Sequence, residues 1–165
     1  MTAAPAMADN LPAHTMPLAE RMPYILNHCR TIAVVGLSPK PHRASLDVAR
    51  YMQAAGYRII VVNPVVAAAG GQVLGEKAYA SVLEAARHEK IDLVNCFRNS
   101  EDIPPVVDDA IAIGAKAVWM QLGISHPQAA AKAETAGLLV VQDHCLKIDH
   151  RVLLSRGLVW PATGN

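Results

Sequence analysis

Short apolar runs alternate with amphipathic stretches along the chain. An uninterrupted apolar run of four to eight residues is typical of a strand buried on both faces, and apolar residues three and four apart are typical of a helix that faces a core. The runs predict five strands, at Thr31–Leu37, Arg58–Asn63, Ile91–Cys96, Ala117–Gln121 and Leu138–Gln142. The amphipathic stretches predict helices at Leu18–Asn27, Ala44–Ala55, Lys77–His88, Glu101–Ile113 and Ser125–Gly137.

The connections between the predicted strands indicate the fold class. Each strand is joined to the next by a segment long enough for a crossover helix, and such connections are typical of a parallel sheet covered on both faces. We therefore expect an α/β protein, a Rossmann-like doubly wound domain with a five-stranded parallel sheet. The single domain is expected over residues 18–150, after a flexible arm at 1–17 and before a tail at 151–165.

Charge and cysteine content narrow the function classes. The 165 residues include 15 Lys and Arg against 14 Asp and Glu, and the net charge of +1 favours neither a nucleic acid nor an anionic membrane as partner. The three cysteines are widely separated and odd in number, which does not fit a disulfide framework. The apolar runs are too short for a membrane span, and no secretory signal is recognisable. We expect a cytoplasmic protein.

The ends of the predicted strands carry the candidate chemistry. In a sheet of this kind, ligands bind beyond the carboxyl ends of the strands, and an NAD site places Asp or Glu after the second strand. This chain has Asn63 and Pro64 there, while the loop after the first strand holds Gly36 with the cations Lys40, His42 and Arg43. The pattern favours a nucleotide with additional phosphate charge, such as coenzyme A, and NADP competes on charge alone.

Five segments, in this order, resemble a known family: VVGLSPKPHRAS, YRIIVVNP, LGEKAYAS, CFRNSEDIPPVVDDAIAIGAKAVWMQLG and AETAGLLVVQDHCLKIDH. They are similar to the stand-alone CoA-binding proteins, which are related to the CoA-binding domain of the succinyl-CoA synthetase α subunit. The resemblance covers residues 18–150. It implies a cytoplasmic domain that binds coenzyme A or an acyl-CoA as a carrier, sensor or partner module. It does not imply synthetase activity, because no segment corresponds to the ligase domains.

The resemblance also implies a set of binding residues. It places the phosphates of coenzyme A at the loop after the first strand, the nucleotide or ribose after the second strand, and the pantetheine arm along the loops after the third and fourth strands. In that order, these positions are Gly36, Leu37, Ser38, Lys40 and Arg43; Asn63 and Pro64; and Phe97, Arg98, Gln121, Leu122 and Gly123. No catalytic pair is recognisable among them, and we expect no self-contained reaction.

The segment QDHCLKIDH offers two alternatives to a pure binding module. Asp143, His144, Cys145 and His150 include possible metal ligands, but no paired C-x-x-C or H-x-x-x-H spacing is present, so no metal site is expected. Cys145 follows the last strand, where a thiol could act as a nucleophile assisted by an imidazole. The remaining alternatives are this thiol-dependent enzyme and an NADP-type oxidoreductase component. A structural role for Cys145 is favoured over both the metal site and the nucleophile.

Overall fold

The computed structural model describes residues 15–161, and their strands form one seven-stranded sheet. The strands are β1 Thr31–Val35, β2 Arg58–Val62, β3 Gln72–Val73, β4 Glu76–Tyr79, β5 Leu93–Cys96, β6 Ala117–Met120 and β7 Leu139–Val141. The helices are α1 Leu18–His28, α2 Ala44–Ala54, α3 Pro64–Ala68, α4 Val82–Ala85, α5 Ile103–Ala112, α6 Pro127–Thr135 and α7 Leu146–Ser155, with a 3₁₀ turn at Ser100–Asp102.

The strand order is β3-β4-β2-β1-β5-β6-β7, and every pairing is parallel except that of β3 with β4. The predicted α/β class and parallel sheet are confirmed. The predicted number of five strands is wrong, because β3 and β4 extend the edge beyond β2.

The two additional strands form a hairpin where the sequence predicted a helix at 77–88. Its two-residue turn, Leu74 and Gly75, has φ of 55° and 77°, as a type I′ turn requires. Beyond the turn, β4 pairs with β2, and Ala78 and Tyr79 are buried there. Ser81 then accepts the Glu84 amide at 3.1 Å and caps α4, so the helix begins several residues later than expected.

Helices α3 and α7 were not predicted. The Asn63-Pro64 pair was interpreted as the end of a strand, but Pro64 is the first residue of α3. The segment after β7 was expected to be a short ordered tail, whereas α7 extends to Ser155 and buries Leu146, His150 and Leu153. The predicted arm falls mostly on residues 1–14, which lie outside the described residues.

Two apolar layers cover the sheet. Alternate strand residues face the layer of α1, α2 and α7, and the others face the layer of α4, α5 and α6. Trp119 and Met120 point into opposite layers, and both are fully buried in the core. Within residues 15–161, no helix has the length and apolarity needed to cross a bilayer.

Candidate functional site

The chain changes direction across the sheet between β1 and β5. From β1 it continues to β2 on one side, and it later returns to β5 on the other side of β1. The loops that follow these adjacent strands diverge at their carboxyl ends and leave a crevice, which is where open α/β sheets bind ligands. The loops after β1, β2 and β5 therefore border one crevice.

Gly36 brings the loops after β1 and β5 into backbone contact. Its φ is +85°, and a Cβ at this position would lie 2.4 Å from the carbonyl oxygen of Phe97. Its own amide donates to the Val62 carbonyl at 2.9 Å, which joins the loop to the end of β2 as well. Only glycine fits both the left-handed conformation and this close approach.

Two serine hydroxyls shape the loop between β1 and α2. The Ser38 amide donates to Ser45 Oγ at 3.0 Å, and the Lys40 amide donates to Ser38 Oγ at 3.1 Å. Leu37 contributes only backbone to this loop surface, because its side chain is fully buried in the core. The loop is thus held by its own residues and by the first turn of α2.

A first cleft of about 350 Å³ lies between this loop and α2. Lys40 and Arg43 line it, both side chains are exposed, and neither forms an ion pair within residues 15–161. The 11-residue helix α2 begins here without a side-chain cap, so its free amides favour an anion. Among residues 15–161, the lining is Gly36, Ser38, Lys40, Arg43, Ala44, Ser45 and Phe97, and it includes no carboxylate.

Asn63 connects the loop after β1 to α3. Its Oδ1 accepts the Val65 and Val66 amides at 3.0 and 3.2 Å, and its Nδ2 donates to the Leu37 carbonyl at 3.0 Å. The oxygen is therefore occupied by the helix cap. Asn63 therefore has a structural role, since it fixes the loop after β1 relative to the start of α3, which follows β2.

A second and a third cleft continue the first one along the edge. The second, of about 370 Å³, shares Lys40 and Phe97 with the first cleft and reaches Pro64 and Arg98. Pro64 and Arg98 also line the third cleft, of about 400 Å³. The third cleft is otherwise lined by Val35, Val62, Ala80, Ser81, Val82, Glu101, Asp102, Pro105, Val106 and Asp109.

The charge of the edge changes sign between the first cleft and the third. Three carboxylates, Glu101, Asp102 and Asp109, line the third cleft beside one cation, Arg98. The charged side chains that line the first cleft are both cations, Lys40 and Arg43. Burial, together with the neighbouring Asp108, raises the pKa of Asp109. An elongated ligand with phosphates at one position and hydrogen-bond donors at another is complementary to this arrangement.

The predicted positions after β6 lie apart from these clefts. Gln121 is buried, and its Oε1 accepts from Asn95 Nδ2 and from the Leu146 amide, both at 3.3 Å. The Gly123 amide donates to Asp143 Oδ1 at 2.6 Å, and Leu122 is 64% exposed. Gln121, Leu122 and Gly123 line none of the three clefts.

Cys145 lies half-buried at the start of α7, without an imidazole bonded to its thiol in the described part of the chain. The His144 ring instead pairs with Asp149 at 2.9 Å. His150 is buried, with its Nδ1 2.8 Å from the Tyr51 hydroxyl, and burial lowers the pKa of His150. Both imidazoles that the sequence offered as assistants therefore have other partners.

The other two thiols lie in the core. Burial raises the pKa of Cys29 to about 12 and that of Cys96 to about 12. Nowhere in residues 15–161 are three His, Cys, Asp or Glu side chains grouped as metal ligands.

The sequence analysis did not identify several of the residues that line the clefts. Ser45 and the carboxylates of Glu101, Asp102 and Asp109 all come from helices or a helical turn rather than from strand ends. Strand ends can be located from apolar runs, but which helix residues face a cleft depends on how the helices pack. For Ser45 the signal was a small hydroxyl residue in the first turn of a helix that follows a glycine loop.

The region that is similar to known proteins includes the sheet and the clefts. A family model described as a CoA binding domain matches residues 30–151. The uncharacterized protein YneT of Bacillus subtilis is 40% identical over 128 residues, covering 78% of this chain and 90% of that protein. A hypothetical protein of known structure from Pyrococcus horikoshii is 34% identical with a TM-score of 0.75, covering 93% of this chain and 99% of that one. Prb, the PH1109 protein redesigned for binding, is 37% identical with a TM-score of 0.78, covering 84% of this chain and 94% of that one.

Proposed function

The chain belongs to the CoA-binding domain family, and on this premise we propose that it binds coenzyme A or an acyl-CoA at the carboxyl edge of its sheet. The membership confirms the family that the sequence motifs indicated. The observation that carries the proposal is the first cleft, where the start of α2 and two cations, neither of them ion-paired in the described part of the chain, face a space that no described carboxylate lines. Coenzyme A has a diphosphate and a 3′-phosphate, which suit such a cleft.

We assign the phosphates to the loop between β1 and α2. Gly36 and Leu37 contribute backbone, Ser38 contributes its hydroxyl, and Lys40 and Arg43 contribute charge. The support is that all except the buried Leu37 side chain line the first cleft. A charge-assisted hydrogen bond to a phosphate is about twice as strong as a neutral one, so the two cations should dominate the affinity.

The nucleotide and the pantetheine arm are assigned to the remaining positions. Asn63 and Pro64 flank the nucleotide or ribose, Asn63 by holding the loop and Pro64 by lining the second and third clefts. Phe97 and Arg98 begin the path of the pantetheine arm, and the arm continues towards 121–123. This path follows the sheet edge from β5 to β6, which are neighbouring strands.

The protein is proposed to act as a cytoplasmic binding, carrier or sensor module, within the unit 18–150, and not as a self-contained enzyme. Support comes from Cys145, the only half-buried thiol among the described residues, which has no imidazole bonded to it. All three thiols are unpaired, in keeping with a reducing compartment. We propose a small molecule as the partner, and we propose neither a nucleic acid nor a membrane as a partner.

Calorimetric titration with four ligands tests the proposal. Coenzyme A is expected to bind more tightly than 3′-dephospho-CoA, because the latter lacks one phosphate, and more tightly than NADP or NAD. NAD is expected to bind weakest, since β2 is followed by Asn63 rather than by a carboxylate. Tight NAD binding without any response to coenzyme A would refute the proposal. Native mass spectrometry of the purified protein identifies the acyl group, if one is carried.

A further inference from the structure

Ser45 is a buried polar side chain at the edge of the first cleft that the sequence motifs do not assign. It is the second residue of α2, is 5% exposed, and lines the cleft. A hydroxyl in a nearly closed position is costly unless its hydrogen bonds are made. The hydrogen bonds that the Ser45 hydroxyl makes and lacks therefore indicate which kind of ligand fits the cleft.

The Ser45 hydroxyl is half satisfied. Its oxygen accepts the Ser38 amide at 3.0 Å, and no acceptor for its own proton is found within residues 15–161. A serine hydroxyl has one proton to donate in addition to its lone pairs. The Ser38 hydroxyl is in the same condition, because it accepts the Lys40 amide at 3.1 Å and none of the described residues accepts its proton. Two hydroxyl protons at the first cleft are thus available to a ligand.

The other polar groups of the cleft are donors as well. Lys40 and Arg43 are cations, and the backbone amides of Ala44 and Ser45 have no backbone acceptor in the described chain. No carboxylate from the described part of the chain lines the cleft. Such a set of donors requires an acceptor with several oxygens and a negative charge, and a diphosphate has this chemistry.

We propose that Ser45 is a further ligand-binding residue, whose hydroxyl donates to the diphosphate while its oxygen holds the Ser38 amide and so positions the loop. The proposal rests on the proposed function, because it names the residue that receives the diphosphate of coenzyme A. It adds a contact from α2 to a site that the sequence located only in the loops. One side chain then connects the shape of the loop to the presence of the ligand.

Three variants test this role. Ser45→Ala removes both the donor and the acceptor, and Ser45→Thr keeps the hydroxyl. Ser100→Ala is the matched control, because Ser100 Oγ also accepts one backbone amide, that of Ser125 at 3.1 Å, but lines none of the three clefts. Affinity for coenzyme A is measured by calorimetry, thermal stabilisation is measured with inorganic pyrophosphate as a probe, and folding is followed by urea unfolding.

Ser45→Ala is expected to weaken coenzyme A binding by about 10- to 100-fold, the range for a hydrogen bond to a charged group. The same substitution should abolish the thermal stabilisation that inorganic pyrophosphate gives the protein. A variant that had only lost fold stability would still be stabilised by pyrophosphate. Ser100→Ala should leave both unchanged, and Ser45→Thr should bind better than Ser45→Ala.

Two results separate the inference from its premise. If the parent protein binds coenzyme A and Ser45→Ala binds it within about twofold, the role of Ser45 is refuted and the proposed function stands. If the parent binds neither coenzyme A nor pyrophosphate, the proposed function is refuted and the role of Ser45 with it. A loss of affinity in Ser100→Ala equal to that in Ser45→Ala would also refute the inference, because it would mark a general effect of losing one amide acceptor.

Discussion

Replacing Gly36 with alanine adds a single methyl group at the place where two loops touch. The residue has φ of +85°, and a left-handed conformation costs an L residue about 1 to 2 kcal/mol. The new Cβ would also lie 2.4 Å from the Phe97 carbonyl oxygen, closer than the 3.0 Å that Cβ contacts respect. Because this neighbour is backbone, the loop after β5 must move, and such overpacking costs about 1 to 3 kcal/mol more.

Gly114→Ala is the matched control for this substitution. Gly114 has φ of +70°, and no atom of residues 15–161 other than its chain neighbours lies within 4 Å of the position that a Cβ would take, so its replacement carries the backbone cost without the clash. Urea unfolding followed by circular dichroism should show a loss of about 2 to 5 kcal/mol for Gly36→Ala and about 1 to 2 kcal/mol for Gly114→Ala.

Ligand binding should separate the two variants further. Gly36→Ala displaces a wall shared by the first and second clefts and should weaken coenzyme A binding, whereas Gly114→Ala should bind like the parent. Equal destabilisation by the two substitutions would show that the contact with Phe97 is not tight, and the account of the crevice would then be incorrect.

Three further predictions concern charge, the Cys145 thiol and pH. Lys40→Ala and Arg43→Ala should each weaken coenzyme A binding by about 10- to 100-fold with little change in melting temperature, because both side chains are exposed and neither forms an ion pair within residues 15–161. Parental affinity in both variants at low salt would contradict the phosphate assignment. Cys145→Ser should leave coenzyme A affinity within about twofold, since no imidazole of residues 15–161 is bonded to the thiol. Alkylation of Cys145 at pH 6 much faster than that of a model thiol would argue against this.

Burial lowers the pKa of His150 from its ordinary 6.5, so on acidification the unfolded chain takes up a proton that the folded chain does not. Stability should therefore fall as the pH decreases below 6.5, and it should fall less in His150→Phe. Urea unfolding at pH 7 and pH 5 measures both slopes, and equal slopes would refute the role of His150.

The central strands were predictable because both of their faces are buried. A strand between two helical layers has an uninterrupted apolar run, as in β1 and β2, which differs from any amphipathic pattern. The edge hairpin of β3 and β4 lacks such a run, because Gln72, Glu76 and Lys77 interrupt it. Its position depends on the turn at 74–75 and on pairing with β2, which a local pattern does not contain.

The candidate site was predictable only as far as the strand ends determine it. The loops at Gly36, Asn63 and Phe97 converge because parallel strands end at the same edge. The roles of individual side chains were less accessible. Asn63 is occupied in capping α3, and Gln121 is buried beneath α7, a helix absent from the predicted elements. These contacts arise from tertiary packing, which apolar periodicity alone does not specify.

The change of charge between the first and third clefts gives the carboxyl edge an electric dipole. Lys40 and Arg43 stand at one end of it, and Glu101, Asp102 and Asp109 stand at the other. The net charge of +1 exerts little attraction at long range, and physiological salt screens fields over about 8 Å. An approaching polyanion therefore experiences a torque only in the last step before contact, and this torque turns its phosphates towards α2. The arrangement orients the ligand more than it accelerates its capture, so the association rate should depend only weakly on ionic strength.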